Sequence, residues 1–222
     1  MRMLARLFVV FLPWPLRRWV LNACYGYQLA PGSHVGFAWV FPRRLVMARG
    51  ARIGHLTVVK GLDLLEMGEQ SSIGRLNWIS AFPTGTGSPH FAHLPNRRAE
   101  LSLEEHSALT NRHIVDCTER VTLGRFATLA GFRSQILTHS IDLRMCRQDA
   151  RPVRIGRYCF VGTACTILGG GNLPDHSVLG AHSLLNKAHT TPYRLYAGVP
   201  ATAIRELSSD LAYFSRDQGF VT

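Results

Sequence analysis

Residues 155 to 185 read IGRYCFVGTACTILGGGNLPDHSVLGAHSLL, and an aliphatic side chain returns at every sixth position: Ile155, Val161, Ile167, Leu173, Leu179 and Leu185. If aliphatics fill roughly a third of positions, six consecutive hits in a chosen frame come to about one in seven hundred by chance. Residue size follows the same frame. Four places after the first five aliphatics stand Cys159, Cys165, Gly171, Ser177 and Ser183, all small, and Gly156, Gly162 and Gly180 directly follow three of the aliphatics. Those glycines are expected at corners that need unusual dihedrals.

A period of six is neither helical, which would recur near 3.6, nor a simple strand alternation of two. It suits a solenoid whose every coil has three short flat faces, each a strand followed by a turn. Stacked coils then place aliphatic on aliphatic and small on small around one continuous core. The frame extends upstream through Ile53, Val59 and Leu65, Ile73 and Ile79, Leu103, Leu109 and Val115, then Leu123, Leu129 and Ile141. The eight-residue steps from Leu65 to Ile73 and from Val115 to Leu123 read as two-residue insertions at a corner. Gln135 fills a slot where an aliphatic is expected. Two longer breaks, 82–100 and 142–152, are rich in Pro, Gly, His or Arg and read as loops.

With 46% apolar and 18% charged residues in 222, the chain should fold as one substantial domain. A formal charge of +11 calls for an anionic partner, whether nucleic acid, a phosphate-bearing cofactor or a membrane face. No aromatic residues interleave with basic ones as in a stacking platform, which argues against nucleic acid. The five cysteines form no CxxC pair and are odd in number, so neither a disulfide framework nor a thiolate metal site is suggested, and a cytoplasmic setting fits.

At the amino terminus Arg2, Arg6, Arg17 and Arg18 flank the apolar run Leu7 to Leu12. That run is too short to span a bilayer. It has the length of a signal-peptide core, yet Pro13, Pro15, two arginines and Trp19 follow it without a small-x-small cleavage site. The segment could lie in the interface of an anionic membrane, making the protein peripheral, or pack as a helix on the body. The organisation expected is a helical amino-terminal segment over 1–45, the coil over 46–188, and a loop with a short capping helix over 189–222. In that last segment Leu207, Leu211 and Phe214 stand at helical spacing.

Three further features accompany the repeat: Thr138-His139-Ser140 before a polar loop, Pro152-Val153-Arg154-Ile155-Gly156 where the coil resumes, and Tyr196-Ala197-Gly198-Val199-Pro200-Ala201 at its end. With them the chain resembles the hexapeptide-repeat acyltransferases, all-β proteins built on a left-handed parallel β-helix, and most of all the sugar and polysaccharide O-acetyltransferases. The similarity is dense over 123–205 and loose before it. Left-handedness comes from the resemblance alone, since crossovers are ordinarily right-handed.

The resemblance implies a homotrimer with active sites between adjacent prisms, acetyl-CoA as acyl donor, no metal, and a sugar or glycan precursor as acceptor. In that chemistry a histidine takes the proton from the acceptor hydroxyl, which attacks the thioester directly. His139 matches it, and a neutral imidazole near pH 7 suits the task. Asp142, three residues on, could orient the imidazole. His113 stands in a slot otherwise filled by small side chains, so with Asp116, Arg133 and Ser134 it is assigned to the acceptor; the plain alternative is a corner histidine satisfied internally. Thr163, Ala181, Asn186, Lys187 and Arg205 match coenzyme A positions, with Lys187 and Arg205 toward phosphate. Phe160 and His182 depart from the family pattern, at the positions of the adenine and thiol-end contacts.

Three other readings compete. An amino-sugar N-acetyltransferase would use the same scaffold. A zinc enzyme of the γ-carbonic-anhydrase kind needs three protein ligands, and His90, His93, His176 and His182 do not suggest one. A non-enzymatic scaffold leaves His139 beside a resumed coil unexplained.

Overall fold

The computed structural model of the chain describes residues 2–221, with side chains from Arg6 onward, so the side chain of Arg2 lies outside the described residues. The six-residue frame winds into a left-handed parallel β-helix whose faces are sheets of seven, nine and seven strands, parallel throughout except for the last strand of the second. On the second sheet Val35, Ile53, Ile73, Leu109, Leu129, Val161 and Leu179 stack in direct register. On the third, Val40, Val59, Ile79, Val115, Ile136, Ile167 and Leu185 do the same. None of the fourteen exceeds 2% exposure. Each fully buried aliphatic contributes about 1.5–3 kcal/mol, so the columns are the main source of stability.

The frame differs from its sequence reading in four places, each for a physical reason. The eight-residue steps hold no inserted corner. First-sheet strands such as Leu64–Met67 and Val121–Leu123 are long enough to bury two alternate residues, and Met67 and Val121 fill the missing slots. The slot expected at Gln135 belongs to Ile136, because the preceding corner carries one extra residue; Gln135 is exposed. Ile141, expected inside, is 58% exposed in a hairpin outside the coil. Finally, Gly156 and Gly162 are needed for closeness and not for dihedral freedom. A Cβ on Gly156 would stand 2.6 Å from Asp175 N, and one on Gly162 2.7 Å from Ala181 N. The positive-φ corner residues come two places later, at Tyr158 and Ala164.

The helical segment is shorter than expected. Helices α1 (Arg2–Phe11) and α2 (Trp14–Tyr25) close one end of the core, and the first strand begins at Gln28, inside the 1–45 segment. Arg17 on α2 is buried and donates from Nη1 to Gly36 O and from Nη2 to Ala38 O, both at 2.7 Å, fixing the helix to the first coil. Desolvation brings its pKa down to about 10. At the other end the AGVPA segment turns an antiparallel hairpin, Arg194–Gly198 with Ala201–Glu206, onto the second sheet. The capping helix expected after it reduces to a 3-10 turn, Ala212–Phe214, with Leu207 and Phe214 buried and Leu211 out. Here Arg216 lies over the rings of Phe126 and Tyr158, so a strap and not a helix covers this face. Of the two breaks, 142–152 holds the turn and second strand of a β-hairpin, His139–Asp142 with Arg147–Ala150, and the two residues that return to the coil, and 82–100 is a loop with one 3-10 turn, Pro89–Phe91.

Candidate active site

His139 stands where a third-sheet strand, Gln135–Leu137, ends and the chain leaves the coil as the hairpin. One coil earlier the third-sheet strand Ile114–Asp116 ends at the same corner, with Asp116 paired to Leu137. The register therefore delivers a carboxylate beside the imidazole. Asp116 Oδ2 accepts from His139 Nδ1 at 2.8 Å, Thr138 N at 2.9 Å, Thr138 Oγ1 at 2.7 Å and His139 N at 3.1 Å. Its Oδ1 accepts from Thr118 N at 3.2 Å and Thr118 Oγ1 at 2.7 Å. Burial alone would raise the Asp116 pKa, but the bonds from His139, Thr118 and Thr138 outweigh it and hold the group down to about 2.

An ionised Asp116 requires its partner nitrogen to carry a proton, so the neutral imidazole is protonated at Nδ1 and Nε2 is its basic atom. The hydrogen bond from Asp116 raises the His139 pKa, with partial burial and the Arg97 charge pulling the other way. The ring, 46% exposed, opens on two cavities. One of about 340 Å³ is lined by Ser80, Phe82, His90, Phe91, Thr118 and Gln148. The other, of about 810 Å³, includes Ser140, Asp142, Arg144, Arg151, Gly169 and Asn186. Among the described residues His139 alone lines both.

Several expected roles change place. Asp142 does not orient the imidazole; its Oδ1 accepts from Arg144 N at 3.0 Å and Met145 N at 3.2 Å, closing the hairpin turn, and Asp116, expected at the acceptor, holds the ring. His113 is 1% exposed and faces no acceptor. Its Nδ1 accepts from Ser134 N at 3.1 Å, which leaves Nε2–H to donate to Thr110 Oγ1 at 2.9 Å, and desolvation pushes its pKa down to about 4. Ser134 is fully buried, its Oγ accepting from Cys165 N at 3.1 Å, so it too is internal. Arg133 is exposed at the opposite end of the third-sheet strand from His139, at positive φ.

Among the coenzyme A positions, Asn186 and Lys187 follow the strand Leu184–Leu185 and share the His139 corner two coils on, with Asn186 in the larger cavity. Thr163 and Ala181 sit at the corner before the third-sheet strands. Thr163 Oγ1 donates to Phe132 O at 2.9 Å. Arg205 is exposed on the outer strand of the carboxy-terminal hairpin. Sequence reading missed Phe82, Phe91, Arg97 and Gln148, all in or against the breaks. Among the described residues no three His, Cys, Asp or Glu side chains group as a metal site.

No protein-family model and no curated protein sequence matches the chain. Solved structures do resemble it. The polysialic acid O-acetyltransferase OatWY superposes with a TM-score of 0.60 at 16% identity, over 86% of this chain and 90% of that one. This chain has the fold of the hexapeptide-repeat acetyltransferases. A hexapeptide-repeat acetyltransferase of Vibrio cholerae O1 biovar eltor, solved with acetyl coenzyme A, gives 0.52 at 19% identity over 64% of this chain and 71% of that one. A point mutant of AntD, an N-acyltransferase from Bacillus cereus solved with dTDP-4-amino-4,6-dideoxyglucose and coenzyme A, gives 0.56 at 12% over 77% and 84%.

Proposed function

We propose that the chain is an acyl-CoA-dependent O-acyltransferase that moves an acyl group, most simply acetyl, onto a sugar hydroxyl, with His139 as general base and Asp116 as its orienting carboxylate. The observation that carries this reading is the Asp116–His139 pair at the junction of two cavities, because direct transfer needs one base touching two substrates that arrive from different sides. His139 Nε2 takes the proton of the acceptor hydroxyl as its oxygen attacks the thioester carbonyl. Asp116 steadies the imidazolium. The tetrahedral species collapses with loss of the coenzyme A thiolate, which takes the proton back from Nε2.

The larger cavity suits the donor, since Arg144, Arg151 and Asn186 line it and Lys187 lies next in sequence. Both OatWY and the Vibrio enzyme are acetyltransferases by name, and the latter was solved with acetyl coenzyme A, which supports the donor assignment. An amino-sugar acceptor is the second reading, favoured by the aminosugar nucleotide in AntD.

A homotrimer follows from the same reading. The outer row of the third sheet carries Trp39, Trp78, Ile114 and Leu184, and the adjoining corner adds Leu56, Leu76 and Phe132, an apolar face suited to other copies of the chain. Thr163 and Ala181 border that face at the edge away from His139, so two packed copies would bring them toward a neighbour's site. Peripheral contact with an anionic membrane is proposed for α1 and α2; no described helix is long and apolar enough to cross one.

Incubation with acetyl-CoA and hydroxyl or amino sugars, following free thiol, tests the reading. Thiol release with a hydroxyl sugar that His139→Ala abolishes, while coenzyme A binding stays within about twofold, is the expected result. Retained turnover in His139→Ala overturns the base. Turnover with amino sugars alone selects the second reading.

A further inference from the structure

The loop 82–100 plays no part in the stacked columns, yet it is fixed by a buried cation. Arg97 is 8% exposed and donates from Nη1 to Phe82 O at 2.7 Å and to Thr118 O, and from Nη2 to Pro83 O at 3.2 Å. Its guanidinium lies 4.5 Å from the Phe91 ring centroid, and the Phe91 ring meets the His139 ring edge-on at 6.4 Å. Phe82 N donates to Thr118 Oγ1 at 3.1 Å, the same hydroxyl that donates to Asp116. Desolvation by burial lowers the Arg97 pKa, while the charges of Glu119, Asp63 and Asp116 pull it the other way. The hydrogen bonds of Arg97 run to the loop at Phe82 and Pro83 and to Thr118, so what they secure is the place of the loop against the Asp116–His139 pair.

The wall so fixed has a definite chemistry. The smaller cavity, about 340 Å³, is at the low end for small-molecule sites and fits one compact ring sooner than a nucleotide. Phe91 is nearly buried behind the imidazole, whereas Phe82 is only half-buried and borders the cavity with His90 and Gln148. An aromatic face is electron-rich, and the C–H groups on one face of a pyranose are slightly positive, so the two attract flat on.

We propose that Phe82, held in place by Arg97, is the platform on which a pyranose ring of the acceptor stacks, with His90 and Gln148 meeting its hydroxyls and His139 facing the hydroxyl that reacts. This rests on the acyltransferase reading for the identity of the reaction, and its test reads binding without turnover. Arg97 is a positioning residue here; it touches the loop and Thr118, not the sugar.

Saturation-transfer difference NMR is the measurement. The probes are methyl β-galactopyranoside and methyl α-glucopyranoside, with sorbitol as the open-chain control, against the full chain and its His139→Ala, Phe82→Ala, Phe82→Leu and Arg97→Lys variants. At least one pyranoside should receive saturation at its C–H protons from both the unmodified chain and His139→Ala, and sorbitol should not. Phe82→Ala should lower that signal about fivefold or more. Phe82→Leu keeps the apolar volume without the π face, so it should lower the signal too and guards against a folding defect in the alanine variant. Arg97→Lys replaces a flat fork by a point charge and should weaken it likewise. Equal signal from sorbitol, no pyranoside signal from the unmodified chain, or a signal that survives both Phe82 changes overturns the platform. A signal unchanged in Arg97→Lys overturns the role of Arg97. If His139→Ala binds the sugar yet still releases thiol, the base assignment fails and the platform stands.

Discussion

Asp116 and His139, 23 residues apart in sequence, are joined through Oδ2 and Nδ1 at 2.8 Å. That bond sets both the tautomer and the titration of the imidazole. Because the His139 pKa is raised above 6.5, the basic form gains population as pH rises, and kcat/KM should climb through an inflection above that value. The stability linked to this histidine runs the other way: it is fully present below the unfolded pKa and is lost as pH rises through the folded one. The Asp116 contribution is present above 3.8 and is lost as pH falls toward about 2. Asp116→Asn would offer an amide N–H to Nδ1, forcing the proton onto Nε2 and removing the base. Turnover should fall by about 10²–10⁴-fold, with any residual inflection moved to lower pH. A pH–rate profile that keeps its height and position would show that Asp116 does not orient the ring.

The columns and His139 are legible in the sequence, while the carboxylate that holds its ring is not, and one residue explains why. A strict six-residue frame reaches Gln135, one place short of the true register at Ile136. Set at Ile136, the frame aligns Val115 with Ile136 and Asp116 with Leu137, next to Thr138 and His139, and the dyad becomes legible. Asp142 drew attention only by nearness in sequence, which a hairpin does not convert into contact. Phe82, Arg97 and Gln148 carry no periodic signal at all, since loop and hairpin residues are placed by tertiary hydrogen bonds such as those of Arg97. His113 breaks the small-residue rule. The rule breaks there because Thr110 and the Ser134 N–H satisfy both ring nitrogens inside the corner.

His113 supplies a pH dependence of its own. Its folded pKa is pushed down to about 4 against 6.5 in the unfolded chain, so the unfolded state binds a proton that the native state refuses. Stability should therefore drop as pH falls from 6.5 toward 4, by about 3 kcal/mol in all from this group. Urea titrations at pH 7 and 4.5 would reveal it as the difference between the unmodified chain and His113→Asn, whose loss over that interval should be smaller. Parallel losses in the two proteins would mean that His113 titrates normally.

Lys187 lies at the His139 corner, next to Asn186 in the larger cavity, and is exposed. If it meets a phosphate of the donor, Lys187→Ala should raise the KM for acetyl-CoA several-fold, roughly the value of one charge-assisted hydrogen bond. Acetyl-pantetheine, which lacks the nucleotide end, should be used equally well by both proteins. An equal loss with both donors would place the lysine away from phosphate and implicate general damage to the groove.

The amino-terminal helices present Phe8, Phe11 and Trp19 at 75%, 70% and 64% exposure, while Arg17 anchors α2 to the first coil. An apolar face held out on a rigid mount, in a chain of net charge +11, matches an anionic lipid surface better than neutral lipid. Co-sedimentation should find the protein with phosphatidylglycerol vesicles, much less with phosphatidylcholine vesicles, and less with either as salt rises and screens the attraction. Replacing Phe8 and Trp19 together by Asp removes two side chains whose burial contributes about 1.5–3 kcal/mol each, so partitioning should fall at least tenfold. Since both rings are exposed, the thermal transition should stay within a few degrees. If the unmodified protein remains in the supernatant with anionic vesicles at low salt, the exposed face serves another partner and the membrane assignment is lost.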